Sequence, residues 1–288
     1  MANDRKTRGD RARESLASWR AFLWNPRTRE FLGRTGTSWA LIIGYYVIFY
    51  LVLAAMFAFT MWVMLQTISD ERPKYQDRVQ NPGVMIRPRT ENLDVTFNIS
   101  QSDSYSKFTQ SIDSFLKTYD NQSVEWPRCT PGFFRDEQGS PVGHLLTAVP
   151  TRCYFNRSLL ANCSGLSDLS YGYASGQPCV LVKINRVIGY KPGDTNISAS
   201  VNCTAKDTDL GPLKFYPENK FDPMYFPYYG KKTDGAYRQP VVAVQFLSPP
   251  RNTDLQVVCR LSGPNVVVDE NNRDKFIGRV EFHLQVSN

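Results

Sequence analysis

The sequence has few of the residues that enzymes use for acid–base or metal chemistry. Only two of its 288 residues are histidines, His144 and His283. It contains no Gly-x4-Gly-Lys-[Ser/Thr] phosphate loop, no His-Glu-x-x-His pair and no Gly-x-Ser-x-Gly turn. Their absence excludes the nucleotide-binding, zinc-peptidase and α/β-hydrolase classes that depend on those motifs. The sequence is therefore mostly without catalytic motifs, and we expect no cofactor.

Two acidic residues offer an alternative to this prediction. Asp207-Thr-Asp209 is an Asp-x-Asp pattern, which in many Golgi glycosyltransferases binds a divalent ion and a nucleotide sugar. The pattern is short and common by chance, and the alternating strands and helices of a nucleotide-binding fold do not accompany it. We favour an ordinary loop at this position.

Charge is absent from a long stretch near the amino end. No charged residue lies between Arg34 and Asp70. Roughly 20 apolar residues cross the hydrocarbon of a bilayer, and the apolar run at 38–65 is longer than that. A signal peptide has an apolar region of about 7–15 residues, and no small-residue cleavage site follows Leu65. The sequence predicts one transmembrane helix at 38–66.

The segment before this helix lacks both cysteines and glycosylation sequons. It carries nine basic and four acidic residues, whereas the charges just after the helix are balanced. A basic excess stays on the cytoplasmic side, and disulfides and N-linked sugars form on the opposite side. All of the cysteines and sequons follow the span: Cys129, Cys153, Cys163, Cys179, Cys203, Cys259, Asn98, Asn121, Asn156, Asn162, Asn196 and Asn202. These signals predict a cytoplasmic amino end and an extracellular carboxyl part.

The net charge of +7 does not indicate a nucleic-acid partner. The segment before the span contributes nine minus four, or +5, which leaves +2 for the rest. Membrane orientation and anionic lipid account for such a basic tail. We expect the lipid bilayer as a partner and no nucleic acid. Residues 19–37 are rich in aromatic side chains and are predicted to form a short surface-lying helix and turn.

The carboxyl part has the pattern of a mainly-β domain. Strands are predicted at 180–188, 241–247, 255–261 and 278–286, where β-branched residues partly alternate with polar ones. One helix is predicted between Tyr105 and Tyr119, capped by Ser102 or Asp103. Proline-rich and glycine-rich loops between strands favour an antiparallel β-sandwich over an α/β fold.

Six cysteines allow 15 disulfide pairings, and the residues alone do not select one. Pairing in local order is the simplest arrangement. A zinc site is disfavoured because there is no Cys-x2-Cys pair.

Two aromatic clusters are candidates for partner contact. Tyr46, Phe49 and Tyr50 share one face of the predicted span, and the hydroxyls of Tyr46 and Tyr50 need partners in a dry environment. The alternative is a face that only contacts lipid. Residues 225–232 hold four aromatic side chains around a proline, which suits either a protein-binding surface or a loop that closes the core.

The motifs in this order along the chain resemble those of the β subunits of the Na,K-ATPase and H,K-ATPase. The matching stretches are Phe-Leu-Gly-Arg-Thr at 31–35, Tyr-Val-Ile-Phe-Tyr at 46–50, Tyr-Gln-Asp-Arg at 75–78, Cys-Ser-Gly-Leu-Ser-Asp at 163–168, Tyr-Gly-Tyr at 171–173, Gly-Gln-Pro-Cys at 176–179, Tyr-Phe-Pro-Tyr-Tyr-Gly-Lys at 225–231 and Gly-Arg-Val at 278–280. Together they cover nearly the whole chain.

The resemblance implies a non-catalytic subunit of a potassium-counter-transporting pump in the plasma membrane. Such a subunit assembles with the catalytic α subunit, stabilises it, supports its delivery to the surface and modulates potassium affinity. A small single-span regulatory subunit of the same pump is a further expected partner. The implied ectodomain is an immunoglobulin-like sandwich with sequential disulfides, Cys129–Cys153, Cys163–Cys179 and Cys203–Cys259.

The resemblance also assigns contact residues and domains. Contact with α is expected at Tyr46, Phe49, Tyr50, Tyr75, Gln76, Tyr225, Phe226, Tyr228, Tyr229, Gly230 and Lys231. The expected domains are a cytoplasmic tail at 1–37, the transmembrane helix at 38–66, an extracellular stalk at 67–95 and a glycosylated ectodomain at 96–288. The Na,K pump is the expected partner, with the H,K pump as second choice. A stand-alone adhesion glycoprotein is the competing function.

Overall fold

The computed structural model describes residues 18–20, 22–68, 81–90, 92–120, 129–135, 153–206, 208–232, 235–268 and 274–288. The chain forms two compact units, Met1–Ile68 and Ser69–Asn288. The first is dominated by one apolar helix, and the second is mainly β.

Helix α1 of the first unit runs from Gly36 to Gln66, and it is long and apolar enough to cross a membrane. The Thr35 hydroxyl caps it by accepting a hydrogen bond from the backbone N–H of Ser38 at 3.5 Å. None of its residues is buried within the chain. The helix therefore leaves its apolar surface for lipid or for another protein.

The region before α1 differs from the predicted surface helix. Only residues 18–20 and 22–23 are helical among those described, and three short antiparallel strands follow: β1 (Trp24–Asn25), β2 (Glu30–Phe31) and β3 (Arg34–Thr35). Pro26 and the positive φ of Gly33, +72°, explain why the chain turns here instead of continuing as a helix. Trp39 of α1 is attached to this three-stranded sheet, because its indole N–H donates a hydrogen bond to the Phe31 carbonyl of β2 at 2.8 Å.

The second unit contains two β-sheets around one hydrophobic core. Its strands are β4 (Val84–Arg87), β5 (Asp94–Asn98), β6 (Cys179–Ile184), β7 (Gly193–Asp194), β8 (Ile197–Ala205), β9 (Leu213–Tyr216), β10 (Lys220–Phe221), β11 (Val242–Phe246), β12 (Asp254–Ser262) and β13 (Arg279–Ser287). The six-stranded sheet has the order β10-β8-β12-β13-β5, with β7 beside β8, and the four-stranded sheet has the order β4-β6-β11-β9.

The alternation in β13 decides which face enters the core. Val280, Phe282, Leu284 and Val286 are at most 1% exposed, whereas Glu281, His283 and Gln285 are only partly buried. This agrees with the expectation for a half-buried strand. The predicted all-antiparallel sandwich is wrong at one edge, because β5 pairs with β13 in parallel. Strand β5, near the amino end of the second unit, is thus the edge strand beside β13, the last strand of the chain.

Helix α2 (Ser102–Leu116) packs beside β5 and buries Phe108, Ile112 and Leu116. A 310 turn at Lys117–Tyr119 continues it and buries Tyr119. Its N-cap is Gln101, without a side-chain cap bond, so the predicted cap at Ser102 or Asp103 is wrong. Both residues belong to the first helical turn, where the carboxylate of Asp103 complements the helix dipole.

Six strands of the second unit, β4, β5, β7, β8, β9 and β10, lie where none was predicted. Strand β4 falls within the range assigned to the stalk, yet it pairs with β6 along its whole length. Strand β8 falls in a region of weak signal, because small and polar residues alternate there with buried Ala199, Val201 and Cys203. Such a strand lacks the bulky apolar residues that mark strands in a sequence.

Candidate partner-binding surfaces

Four aromatic side chains form a stacked cluster on α1. The rings of Tyr45 and Phe49 stack at 6.2 Å between centroids, as do those of Tyr46 and Tyr50. Neighbouring rings across the two stacks meet edge to face at 5.5 Å. The four residues are 44–64% exposed. Within the described part of the chain, no side chain or carbonyl pairs with the three hydroxyls, so this face suits a partner that supplies hydrogen bonds inside the membrane.

Sequence reasoning selected Tyr46, Phe49 and Tyr50 but missed Tyr45. The signal that identifies it is the i, i+4 spacing to Phe49, which places the two rings one helical turn apart. Tyr45 extends the aromatic face to one side, since successive residues are about 100° apart around the helix axis.

The aromatic loop at 225–231 is divided between core and surface. Tyr225 and Phe226 are 6% and 3% exposed. The Tyr225 ring lies 5.4 Å from that of Phe155, and its carbonyl accepts a hydrogen bond from the Tyr237 hydroxyl at 3.1 Å. These two side chains lie in the core and offer little area to another protein. The predicted contact with a partner is therefore restricted to the other residues of the loop.

The rest of the loop forms a supported, half-exposed surface. Tyr228 and Tyr229 are partly buried, and Lys231 is exposed. The Tyr228 carbonyl accepts from the backbone N–H of Gly189 at 2.9 Å. Gly230 has φ +94°, and a Cβ there would lie 3.3 Å from Ile188 Cδ1. The turn therefore requires glycine both for its backbone conformation and for its close approach to Ile188.

Two arginine side chains pack against the tyrosine rings of this loop. The buried Arg135 lies 5.5 Å from the Tyr229 ring, and its backbone N–H donates to the Phe226 carbonyl at 2.7 Å. The Arg186 guanidinium lies 5.6 Å from the ring of Tyr228 and 5.6 Å from that of Tyr237. These contacts between arginine side chains and tyrosine rings could not be predicted from sequence, because the residues are more than 40 positions apart.

The described sequons all belong to the second unit. Asn156, Asn162, Asn196 and Asn202 are exposed. Asn98 is partly buried, and its amide donates to the carbonyl of Asn288 at 2.9 Å. Asn156 caps a 310 helix (Arg157–Cys163) through its side-chain oxygen, which accepts from the N–H of Ser158. The predicted glycosylation site at Asn121 and the predicted contact residues Tyr75 and Gln76 lie outside the described residues.

Three disulfides join the six cysteines in local order: Cys129–Cys153, Cys163–Cys179 and Cys203–Cys259. Cys203 and Cys259 lie directly opposite each other on β8 and β12. Cys179 begins β6 and anchors the 310 helix that ends at Cys163. The bridges thus join two neighbouring strands, attach the 310 helix to β6, and link two points within the connection between α2 and β6.

Metal-binding geometry is absent from the described residues, where no three His, Cys, Asp or Glu side chains converge. Asp207 and His144 lie outside them. The Asp209 carboxylate accepts from the backbone N–H of Gly211 at 3.1 Å, as in an ordinary turn. His283 pairs at the surface with Asp254 at 3.0 Å.

A family model described as the sodium/potassium ATPase beta chain matches residues 9–282. The chain is 48% identical to the sodium/potassium-transporting ATPase subunit beta-2 of Homo sapiens over 94% of this chain and 95% of the relative, and equally so to that of Mus musculus. It is 40% identical to the beta-2 subunit of Rhinella marina, over 95% of each.

The described residues contain one helix long and apolar enough to cross a membrane and a disulfide-bonded β unit, which together fit a single-span membrane protein. The family match and the identities then settle the assignment, and they favour a pump subunit over stand-alone adhesion. The chain belongs to the family of sodium/potassium ATPase beta chains, which are membrane proteins and the non-catalytic subunits of the pump.

Proposed function

We propose that this chain assembles with the catalytic α subunit of a sodium/potassium pump. It stabilises that subunit, supports its delivery to the plasma membrane and modulates its potassium affinity. The observation that carries the proposal is the stacked aromatic face of α1, which a lipid anchor alone does not require. A small single-span regulatory subunit of the same pump is a further proposed partner.

The proposed topology is a single-pass protein with its amino end in the cytoplasm. The proposed domains are a tail at 1–37, the transmembrane helix at 38–66, a stalk at 67–95, whose strand β4 pairs with β6 of the next domain, and an extracellular domain at 96–288. The basic excess before α1 supports this orientation. So does the position of every sequon and every cysteine after it. Asn98, Asn121, Asn156, Asn162, Asn196 and Asn202 are the proposed glycosylation sites.

An immunoglobulin-like sandwich is the proposed fold of the extracellular domain. Two sheets around one core support it. Two features depart from the antibody pattern, in which the central disulfide links the two sheets. Here Cys203–Cys259 joins neighbouring strands of one sheet, and β5 adds a parallel edge strand.

Contact with α is proposed at two levels. Within the membrane, Tyr46, Phe49 and Tyr50 pack on α, and the hydroxyls of the two tyrosines find acceptors there. Outside it, Tyr75, Gln76 and the exposed part of the 225–231 loop supply the contact. A subunit that holds α at both levels shifts a conformational equilibrium by binding one pump state better than another. Modulation of potassium affinity follows from that difference.

Replacing Tyr46, Phe49 and Tyr50 together by leucine tests the proposal. A mild-detergent pull-down of the tagged full chain is expected to recover an α subunit from cells, and the triple variant is expected to recover several-fold less. Trp62→Leu is the matched control, because Trp62 is exposed on α1 and, at about 100° per residue, lies more than about 100° around the helix axis from Tyr46, Phe49 and Tyr50. Failure of the wild-type chain to bring down any P-type ATPase would reject the proposed function.

A milder variant tests modulation separately from assembly. Tyr46→Leu with Tyr50→Leu removes two hydroxyls and leaves Phe49 in place. The expected result is normal recovery of α with a changed potassium activation of ATP hydrolysis. Identical potassium activation in a normally assembled complex would remove this face from the account of modulation.

A further inference from the structure

Three cations cluster beside the aromatic loop. Arg87 ends β4, Lys183 lies on β6, and Arg186 follows two residues after that strand. The register pairs Met85 with Lys183 and Arg87 with Leu181. The side chains of Arg87 and Lys183 therefore project from the same face of the sheet, opposite to the buried Val84 and Ile86.

Aromatic rings position these cations. The Phe115 ring of α2 lies 5.2 Å from the Arg87 guanidinium and 5.8 Å from the Lys183 ammonium. Arg186 lies against the rings of Tyr228 and Tyr237. Cation–π contacts hold the groups in place but do not neutralise their charge. The result is a continuous surface of cations and flat rings.

No carboxylate forms an ion pair with Arg87, Lys183 or Arg186 in the part of the chain that the structure describes. The neighbouring acids Asp113 and Asp120 are bound to other cations. Asp113 pairs with Lys117 at 2.8 Å and with Arg157 at 3.3 Å, and Asp120 pairs with Arg157 at 2.9 Å. The charge of the cluster is thus left for a ligand.

Burial and the mutual repulsion of these cations change the pKa values of two of them. Burial, together with the charges of Arg87 and Arg186, lowers the pKa of Lys183 to about 8. Burial and the neighbouring Arg89 lower the pKa of Arg87 as well. Like charges at close range disfavour the protonated form, and an anion placed among them restores it.

We propose that Arg87, Lys183 and Arg186 form a carboxylate-binding surface for an acidic segment of the α subunit outside the membrane. This inference rests on the proposed function and names the chemistry of the contact. Guanidinium groups bind carboxylates through paired hydrogen bonds, while Phe115 and Tyr228 add apolar area. A protein segment is favoured over a free anion because the cluster is continuous with the half-exposed loop. Residue 188, two positions after Arg186, forms a β-bridge with Tyr228.

Charge reversal in cells tests the inference. Lys183→Glu with Arg186→Glu is expected to lower recovery of the α subunit at least fivefold, whereas Lys183→Gln with Arg186→Gln is expected to lower it less. Lys220→Glu is the control, because Lys220 is an exposed cation on β10 of the other sheet. Equal recovery with the reversed and wild-type chains would overturn the inference and leave the proposed function standing. No recovery with the wild-type chain would reject the proposed function itself.

A binding experiment examines the surface without α. The full chain, in nanodiscs of neutral lipid, is titrated with a hexaglutamate peptide, with hexaglutamine and with sialyllactose. Hexaglutamate is expected to bind the wild-type chain and the Lys220→Glu control, and to lose at least tenfold in affinity with the double reversal. Unchanged circular dichroism of the reversed chain establishes that it is folded. Binding of sialyllactose in preference to hexaglutamate would overturn the inference in favour of a carbohydrate ligand.

Discussion

Lys183 is the residue whose ionisation responds most directly to an anion at the cationic surface. Its pKa of about 8 is set by burial, by Arg87 on β4 and by Arg186 beyond β6. Tyr119, after α2, stays neutral because burial raises its pKa. Since only the protonated lysine attracts a carboxylate, affinity for an acidic peptide falls as the pH rises through 8.

The expected result is that hexaglutamate binding weakens between pH 7 and pH 9, because at pH 9 Lys183 is neutral in roughly ten of eleven molecules of the free protein. Lys183→Arg removes this dependence, because a guanidinium keeps its proton in this range. Titrations at four pH values measure it. A Lys183→Arg variant with the same pH dependence would show that another group is responsible.

Arg157 is a buried cation with four hydrogen-bond partners. It is 6% exposed, and its guanidinium donates to Asp120 at 2.9 Å, to Tyr171 at 3.1 Å, to Asp113 and to the carbonyl of Ser164. The side chain therefore links the 310 helix to α2 and to the segment after it. A lysine cannot serve these acceptors, because it lacks the planar fork.

Arg157→Lys is expected to lower the free energy of unfolding by about 2 kcal/mol. It keeps the Asn156 sequon, so glycosylation there does not confuse the result. Denaturant unfolding of the full chain in detergent measures the change. Arg89→Lys, at an exposed position, is the control, and equal stabilities of the two variants would contradict the role of Arg157.

Single residues were the least predictable from sequence. The aromatic loop at 225–231 has the composition of an interface, but Tyr225 and Phe226 lie in the core. Composition does not say which ring turns inward. Likewise, Arg87 and Lys183 are 96 positions apart, and only the β4–β6 register brings them together.

Helix α2 is the element that the sequence predicted best outside the membrane. Its apolar residues recur at helical spacing, and Phe108, Ile112 and Leu116 are buried as that spacing requires. The helix packs beside β5 at the parallel edge of the six-stranded sheet. Its apolar face is thus part of the common core.

Truncation of Ile112, which is fully buried, measures the contribution of α2. Ile112→Ala is expected to cost about 2–5 kcal/mol of unfolding free energy, because it leaves a cavity against the sheet. Ser114→Ala, on the exposed side of the same helix, should change it by less than about 0.5 kcal/mol. Denaturant unfolding of the full chain provides both values. A cost for Ile112→Ala as small as that for Ser114→Ala would mean that α2 is not part of the core.

Strands were predicted according to how apolar they are. Strands β6, β11, β12 and β13 carry β-branched residues and were found, whereas β8 carries Ser198, Ser200 and Asn202 between small buried residues and was missed. The parallel pairing of β5 with β13 joins residues nearly 190 positions apart. Local patterns contain no information about such a pairing.

At the scale of the whole molecule, two properties were readable from sequence because they depend on order along the chain. The apolar helix separates a basic segment from one that holds every cysteine and sequon. The motifs shared with the sodium/potassium ATPase beta chains extend from before that helix to the last strand, in agreement with the family match over 9–282. The first unit thus consists mainly of an apolar helix of membrane length, and the second is stabilised by a disulfide-bonded β core.

Site-specific photo-crosslinking of the full chain in cells tests whether the aromatic face of α1 binds the pump. A photoreactive phenylalanine analogue replaces Tyr50 on this face or, as a control, the exposed Trp62, which lies at least about 100° around the helix axis from every ring of the face. We expect a crosslink from position 50 to a multi-span P-type ATPase α subunit and at least fivefold less from position 62. Crosslinks only to lipid, or equal yields from both positions, would contradict the claim that this face binds the pump.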